Sequence, residues 1–139
     1  NHTYYAGYTR YYETHSPILT CPNASNDLFT VTNEKGNQAL TYPIGLITVD
    51  ELMLGGLADG YLNKSSYTYS SHTYWTMSPR IFYVTGTTAV EFYASSVGYA
   101  DSGWVPNSNG VRAIINLKAD VQISGGIGTA NDPFVVQTT

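Results

Sequence analysis

Three histidines, one cysteine and ten acidic residues are the groups with which this chain could do acid–base, nucleophilic or metal chemistry. His2, His15 and His72 stand in polar segments, with no G-x-S-x-G elbow and no H-E-x-x-H pair, so they read as surface residues. Asp50 and Glu51 are the acids most easily imagined as a catalytic pair. Thr48-Val49-Asp50-Glu51 has the spacing of a capping box, however, and helix capping accounts for both carboxylates. Gly125, Gly126 and Gly128 could suggest a phosphate cradle, but no helix start follows them and a wide hairpin is the better reading. Cys21 is single, which leaves no disulfide within the chain and no zinc cluster, and it reads as buried and inert. The expectation is a non-catalytic domain with no cofactor and no metal.

The elements that would position any functional group read as strands. Tyr74 to Val84 is dense in aromatic and β-branched residues and broken by Pro79, a residue confined to strand ends, edges and bulges. Val111, Ala113, Ile115 and Leu117 alternate with Arg112, Asn116 and Lys118, which predicts a strand over 110–118 with the apolar set inward. Val90, Phe92 and Ala94 alternate in the same way with Glu91, Tyr93 and Ser95, after a turn at Thr85–Thr88. One helix, about Thr48–Gly56, follows from the capping box and the apolar stripe Val49, Leu52, Met53 and Leu57. A short strand is predicted over Leu28–Thr32 between the turn cluster 21–27 and the loop 33–37, and a terminal pair over Val121/Ile123 and Phe134/Val136. The Tyr-rich start, Asn1 to Thr20, reads as an outer strand or an arm laid over the core. Segments 61–73 and 96–109 read as exposed connections. The sum is a β-rich α+β domain of several antiparallel strands, one unit spanning 1–139.

Charge and composition narrow the partners. Charged residues make up 12% of the chain and the net charge is −4, so the basic stripe of a nucleic-acid binder is missing. No apolar run approaches the roughly 18 residues of a membrane span, and no direct membrane insertion is expected. Thirteen tyrosines accompany abundant Ser, Thr, Asn and Gly, the composition of a recognition surface in which rigid amphipathic rings are set among small adaptable polar groups. Strands rich in Tyr and Thr account for the same numbers. Asn1, Asn23 and Asn63 begin formal N-glycosylation triplets.

Four ordered blocks carry a resemblance: Tyr42-Pro43-Ile44-Gly45-Leu46-Ile47-Thr48-Val49-Asp50-Glu51, Tyr74-Trp75-Thr76-Met77-Ser78-Pro79, Gly110 to Lys118, and Gly125 to Thr129 with Asn131 to Val136. Their order resembles a family of bacterial surface domains of gut Firmicutes, often placed behind a type IV pilin-like N-terminal helix. The W-x-x-S-P and G-V-R blocks are similar to those of C-type-lectin-like domains, including formylglycine-generating-enzyme-like modules and the variable proteins of diversity-generating retroelements. Two departures qualify it. Ala113 stands where the family commonly has proline, and Val105-Pro106-Asn107 lacks the acidic residue of a calcium-dependent sugar site.

The resemblance implies a C-type-lectin-like fold whose exposed face lies between the Trp strand and the Arg strand. That face would carry Tyr93, Ser95, Ser96, Tyr99, Asp101, Trp104, Asn107 and Asn109, with Tyr67, Tyr69 and His72 nearby; Tyr99 and Trp104 would be the anchors. Trp75, Met77 and Arg112 are assigned to the scaffold, Arg112 holding backbone carbonyls or a carboxylate. The implied function is extracellular, cell-surface or pilus-tip adhesion to a protein or glycan ligand. The alternatives are a pilin or filament subunit with Tyr-rich contacts, and a phage receptor-binding protein.

Overall fold

A computed structural model describes residues 2–20, 41–42, 44–115, 117–129 and 131–137. The expected strand at Leu28–Thr32, its flanking turn and loop, Cys21 and the triplets at Asn1 and Asn23 lie outside the described residues. The architecture is a β-rich α+β fold whose strands pair antiparallel, with one isolated parallel bridge between Tyr74 and Gly110 among the described residues. A four-stranded sheet runs in the order β1 (His2–Tyr4), β3 (Tyr74–Tyr83), β4 (Thr88–Ala94), β5 (Ala100–Trp104). Two small sheets pair β2 (Ile44–Leu46) with β6 (Ala113–Ile115) and β7 (Ile123–Gly125) with β8 (Val135–Val136).

One face of the main sheet carries the core. Val90, Phe92 and Ala94 point into it as their alternation requires, joined by Ala100 from β5 and by Val49 and Leu52 of α2 (Val49–Leu54). Complete burial of a ring such as that of Phe92 stabilises the fold by roughly 1.5–3 kcal/mol. Helix α2 starts as its sequence dictates: Glu51 N–H donates to Thr48 Oγ1 at 3.1 Å, and Thr48 N–H donates to Glu51 Oε2 at 2.8 Å. Asp50 does more than favour the helix dipole. Its carboxylate is buried and takes a two-point ion pair from Arg10, 2.6 and 2.7 Å, plus the Ile18 N–H at 3.1 Å.

Arg10 belongs to a helical segment in what reads from sequence as an outer strand or arm. After β1 the chain coils through α1 (Ala6–Tyr8) and a π-helix over Thr9–Thr14. Tyr4, Tyr8 and Tyr12 fall four residues apart; Tyr4 stacks on Tyr8 with ring centroids 4.0 Å apart, and Tyr8 meets Tyr12 at a tilt at 5.2 Å. Arg80 of β3 lies over the Tyr8 and Tyr12 rings at 5.7 and 4.9 Å and donates to Ser102 Oγ. Tyr11 turns inward against Phe92, and its hydroxyl donates to the Ala100 carbonyl. Burial pushes its phenol well above the usual range.

Two sequence expectations are corrected. Strand β6 spans three residues, and its parity is the reverse of the one expected: Val111, Ile115 and Leu117 are exposed while Ile114 packs against the core. The cause is the tethering of the preceding segment. Gly110 exchanges backbone hydrogen bonds with Thr73 and Trp75, and Arg112 reaches back to the Thr68 carbonyl at 3.0 Å with its guanidinium over Tyr74. Arg112 therefore holds a backbone carbonyl, as its scaffold assignment anticipates. The second correction concerns 96–109. It is no long exposed excursion: Gly98, at φ +105°, closes a tight turn in which Ser95 N–H donates to the Tyr99 carbonyl, and residues 100–104 then form β5.

Candidate functional site

The site begins with Pro79. It sits inside a strand paired on both sides, which is tolerated because β3 bulges there: Trp75 pairs with Tyr93 and Pro79 with Glu91, so four steps along β3 match two along β4. The extra residues are secured from the core side. Thr76 Oγ1 donates to the Phe92 carbonyl at 2.9 Å, Met77 N–H donates to the Ile47 carbonyl at 3.0 Å, and Ser78 Oγ accepts from Val49 N–H at 3.0 Å. On the opposite face the bulge opens a cavity of about 450 Å³. Trp75, Thr76, Met77 and Pro79 of the bulge line it, with Tyr5 from the N-terminal segment and Val105 from the turn after β5.

Glu91 is the ionisable carboxyl on this lining. It stands in the cross-strand row Pro79–Glu91–Gly103. Gly103 opposite it carries no side chain, and a Cβ there would meet the Tyr93 ring at 3.1 Å and the Asn107 amide nitrogen at 3.5 Å. No described residue donates a hydrogen bond or a charge to Glu91, and burial alone raises its pKa to about 7. The next row is Trp75–Tyr93–Asp101. Trp75 and Tyr93 meet edge to face at 5.9 Å, and the Tyr93 hydroxyl donates to Asp101 Oδ2 at 3.1 Å. Burial first, then the Asp101 carboxylate, push the Tyr93 phenol up to about 12.

The residues expected to form one binding face separate into three groups. Tyr93 and Asp101 lie in the row beside the cavity, and Tyr99, half-buried, sits in the turn before β5 with its carbonyl accepting from Ser95 N–H. Trp104 is 58% exposed, but it pairs with Val90 at the other end of β5, about 17 Å along the strand from Tyr99. Asn107 is exposed just beyond it, in a turn closed by its N–H to the Trp104 carbonyl, and Asn109 is half-buried.

The remaining residues do not present a free surface together. Ser95 is buried, with its hydroxyl accepting from Val97 N–H; Ser96 N–H donates to Thr73 Oγ1, and the Ser96 carbonyl accepts from the Tyr69 hydroxyl. These contacts knit the turn to the 61–73 loop instead of offering it to a ligand. Tyr67 and His72 are exposed on that loop. Asn63, third of the glycosylation triplets, has its amide nitrogen donating to the Gly56 carbonyl at 3.2 Å.

Sequence reasoning placed Trp75 and Met77 in the scaffold and Glu91 on the polar side of a strand, and passed over Tyr5, Pro79 and Val105 as site residues. The available signal was an acid in the middle of an aromatic strand next to a strand carrying a proline; reading it requires the register across Gly103. Among the described residues no group of three or more metal-ligating side chains converges, and no helix is long and apolar enough to cross a membrane. No family model, no curated protein and no solved structure matches the chain.

Proposed function

We propose that this chain is a non-catalytic recognition domain displayed outside the cell, at a surface or pilus-like tip, that binds a protein or glycan on another surface. The C-type-lectin-like scaffold and the pilin-associated family are part of that proposal. One observation carries it: an indole more than half exposed is held at the end of a hydrogen-bonded strand, and the next residue, Val105, enters the lining of the aromatic-walled cavity. A residue whose backbone is already ordered by the sheet has less freedom to lose on binding, and tryptophan is among the residues most often dominant at interfaces. Trp104, opposite the inward-facing Val90, and Val105, on the Glu91 side, leave the sheet on opposite faces, so the contact region is the β5 end, displaced from the 61–73 and 93–99 turns.

The test is binding of labelled protein to a glycan array and to cultured bacterial and epithelial cells. Trp104→Ala should weaken capture at least about tenfold and leave the melting temperature unchanged. Capture equal to that of the wild-type protein would remove Trp104 as an anchor and the reading with it.

A subunit role in a filament has its own supporting observation. Val111, Ile115, Leu117, Ile127 and Phe134 are all exposed along the C-terminal part of the chain. Light scattering over a concentration series distinguishes the two: growth of assemblies that Phe134→Ser suppresses favours the filament, and a monomer at every concentration removes it.

A further inference from the structure

We propose that the cavity over the β3 bulge is a subsite for a protonated amine on an aliphatic stem, a lysine side chain of a protein ligand, with Glu91 as its counter-charge. The inference rests on the reading of this face as a recognition surface and narrows it to a protein ligand.

Four observations support it. The Glu91 carboxyl is half-buried and has no partner among the described residues, in a fold where Asp50 and Asp101 each have theirs. Buried carboxyls are ordinarily paired, so one left open at a cavity is missing a donor. The walls fit the rest of the ligand. Met77, Pro79 and Val105 are apolar and suit a methylene stem, and Trp75 and Tyr5 supply rings whose faces attract a cation. The volume of about 450 Å³ lies within the roughly 300–1,000 Å³ of small-ligand sites. Among the described residues no competing cation faces the carboxyl: Arg80 is turned to the other side of the sheet, onto Tyr8, Tyr12 and Ser102. The titratable groups that approach Glu91 are Tyr5 from the N-terminal segment, Tyr93 on its own strand and Asp101 one row away on β5, while the β3 wall contributes none. A hydroxyl could hydrogen-bond to Glu91 but would leave a carboxylate uncompensated in an apolar setting. An ammonium group compensates it.

The proton balance gives the distinguishing property. Alone, Glu91 holds a proton up to about pH 7. An incoming ammonium favours the carboxylate, so the carboxyl releases its proton to solvent and the ion pair forms. Affinity therefore rises with pH and levels off above 7. A neutral carboxyl donating to a carbonyl or sugar oxygen would show the opposite trend.

The experiment is calorimetric titration of the full chain with Nα-acetyl-lysine methylamide and with its Nε-acetylated analogue, in buffers of different ionisation enthalpy. The amine should bind about thirtyfold more tightly at about pH 8 than at about pH 5.5, with proton release at the lower pH. The acetylated analogue should not bind, and Glu91→Gln, its fold checked by circular dichroism, should lose the preference for the amine. Absence of binding up to about 10 mM, equal binding of both probes, or affinity that falls with pH overturns the inference. If the amine fails while Trp104-dependent capture of cells or glycans persists, this subsite is wrong and the recognition reading stands. If both fail, both fall.

Discussion

Replacing Glu91 by glutamine should make the protein more stable at neutral pH and leave it unchanged in acid. An unfolded carboxyl titrates near 4.5, and burial raises the folded one to about 7. Between those values the folded state keeps a proton that the unfolded chain has released. Stability is therefore fully present below 4.5, declines as pH rises, and has lost this contribution once pH passes about 7. At about 1.4 kcal/mol per pH unit, a gap of some 2.5 units amounts to about 3.5 kcal/mol; partial access of solvent to the carboxyl reduces it to about 2–3 kcal/mol. Glutamine keeps the shape and removes the titration. Urea unfolding of both proteins at several pH values between about 4 and 8 should show curves that coincide in acid and separate by about 2–3 kcal/mol at pH 8, or about 8–10 °C in melting temperature. The readout is the change in the difference between the two proteins, so groups that titrate alike in both cancel. A difference constant across the range would refute the reasoning, because it would mean that Glu91 is solvated or already paired.

Further outcomes follow from the packing. Arg10→Met strands the buried Asp50 carboxylate with the Ile18 N–H as its remaining described donor, and should cost about 3–5 kcal/mol in chemical denaturation. Thr48→Ala removes the acceptor for Glu51 N–H and should cost about 1 kcal/mol, with no effect on binding to cells. Phe92→Ala, at the centre of the core, should cost about 3–5 kcal/mol, whereas Trp104→Ala should lie within about 0.5 kcal/mol of wild type. In an alkaline absorbance titration the Tyr93 phenol should ionise near 12, and Asp101→Asn should lower that value by removing the neighbouring charge.

Much of the fold was legible because particular residues leave few alternatives. Thr48 and Glu51 fix a helix start by reciprocal hydrogen bonds, and Val90, Phe92 and Ala94 alternate against polar neighbours, so one parity alone buries them. Pro79 pointed to a strand end, an edge or a bulge, and the register selects the bulge. Around β6 the pattern misled: Ile114 and Ile115 are adjacent, both parities are apolar there, and the choice fell to the Arg112 tether, a contact 44 residues distant in sequence. Strand β5 was illegible for the opposite reason. Ala100, Ser102 and Gly103 are too small to signal a strand, and pairing with β4 holds it. The N-terminal helical segment, expected as an outer strand or an arm, has a signal in Tyr4, Tyr8 and Tyr12, which recur at helical spacing but without aliphatic residues to mark a core face. The cavity needed three facts at once, the bulge, the row across Gly103 and the turn carrying Val105, and each is a matter of register that local sequence does not encode.

The most direct test is the carboxyl titration of Glu91 itself, followed by its side-chain ¹³C shift in the free protein and with saturating lysine amide. The account predicts a midpoint near 7 in the free protein that moves down by at least about one unit when the amine is bound. An ordinary carboxylate midpoint near 4.5, unmoved by the amine, would contradict it.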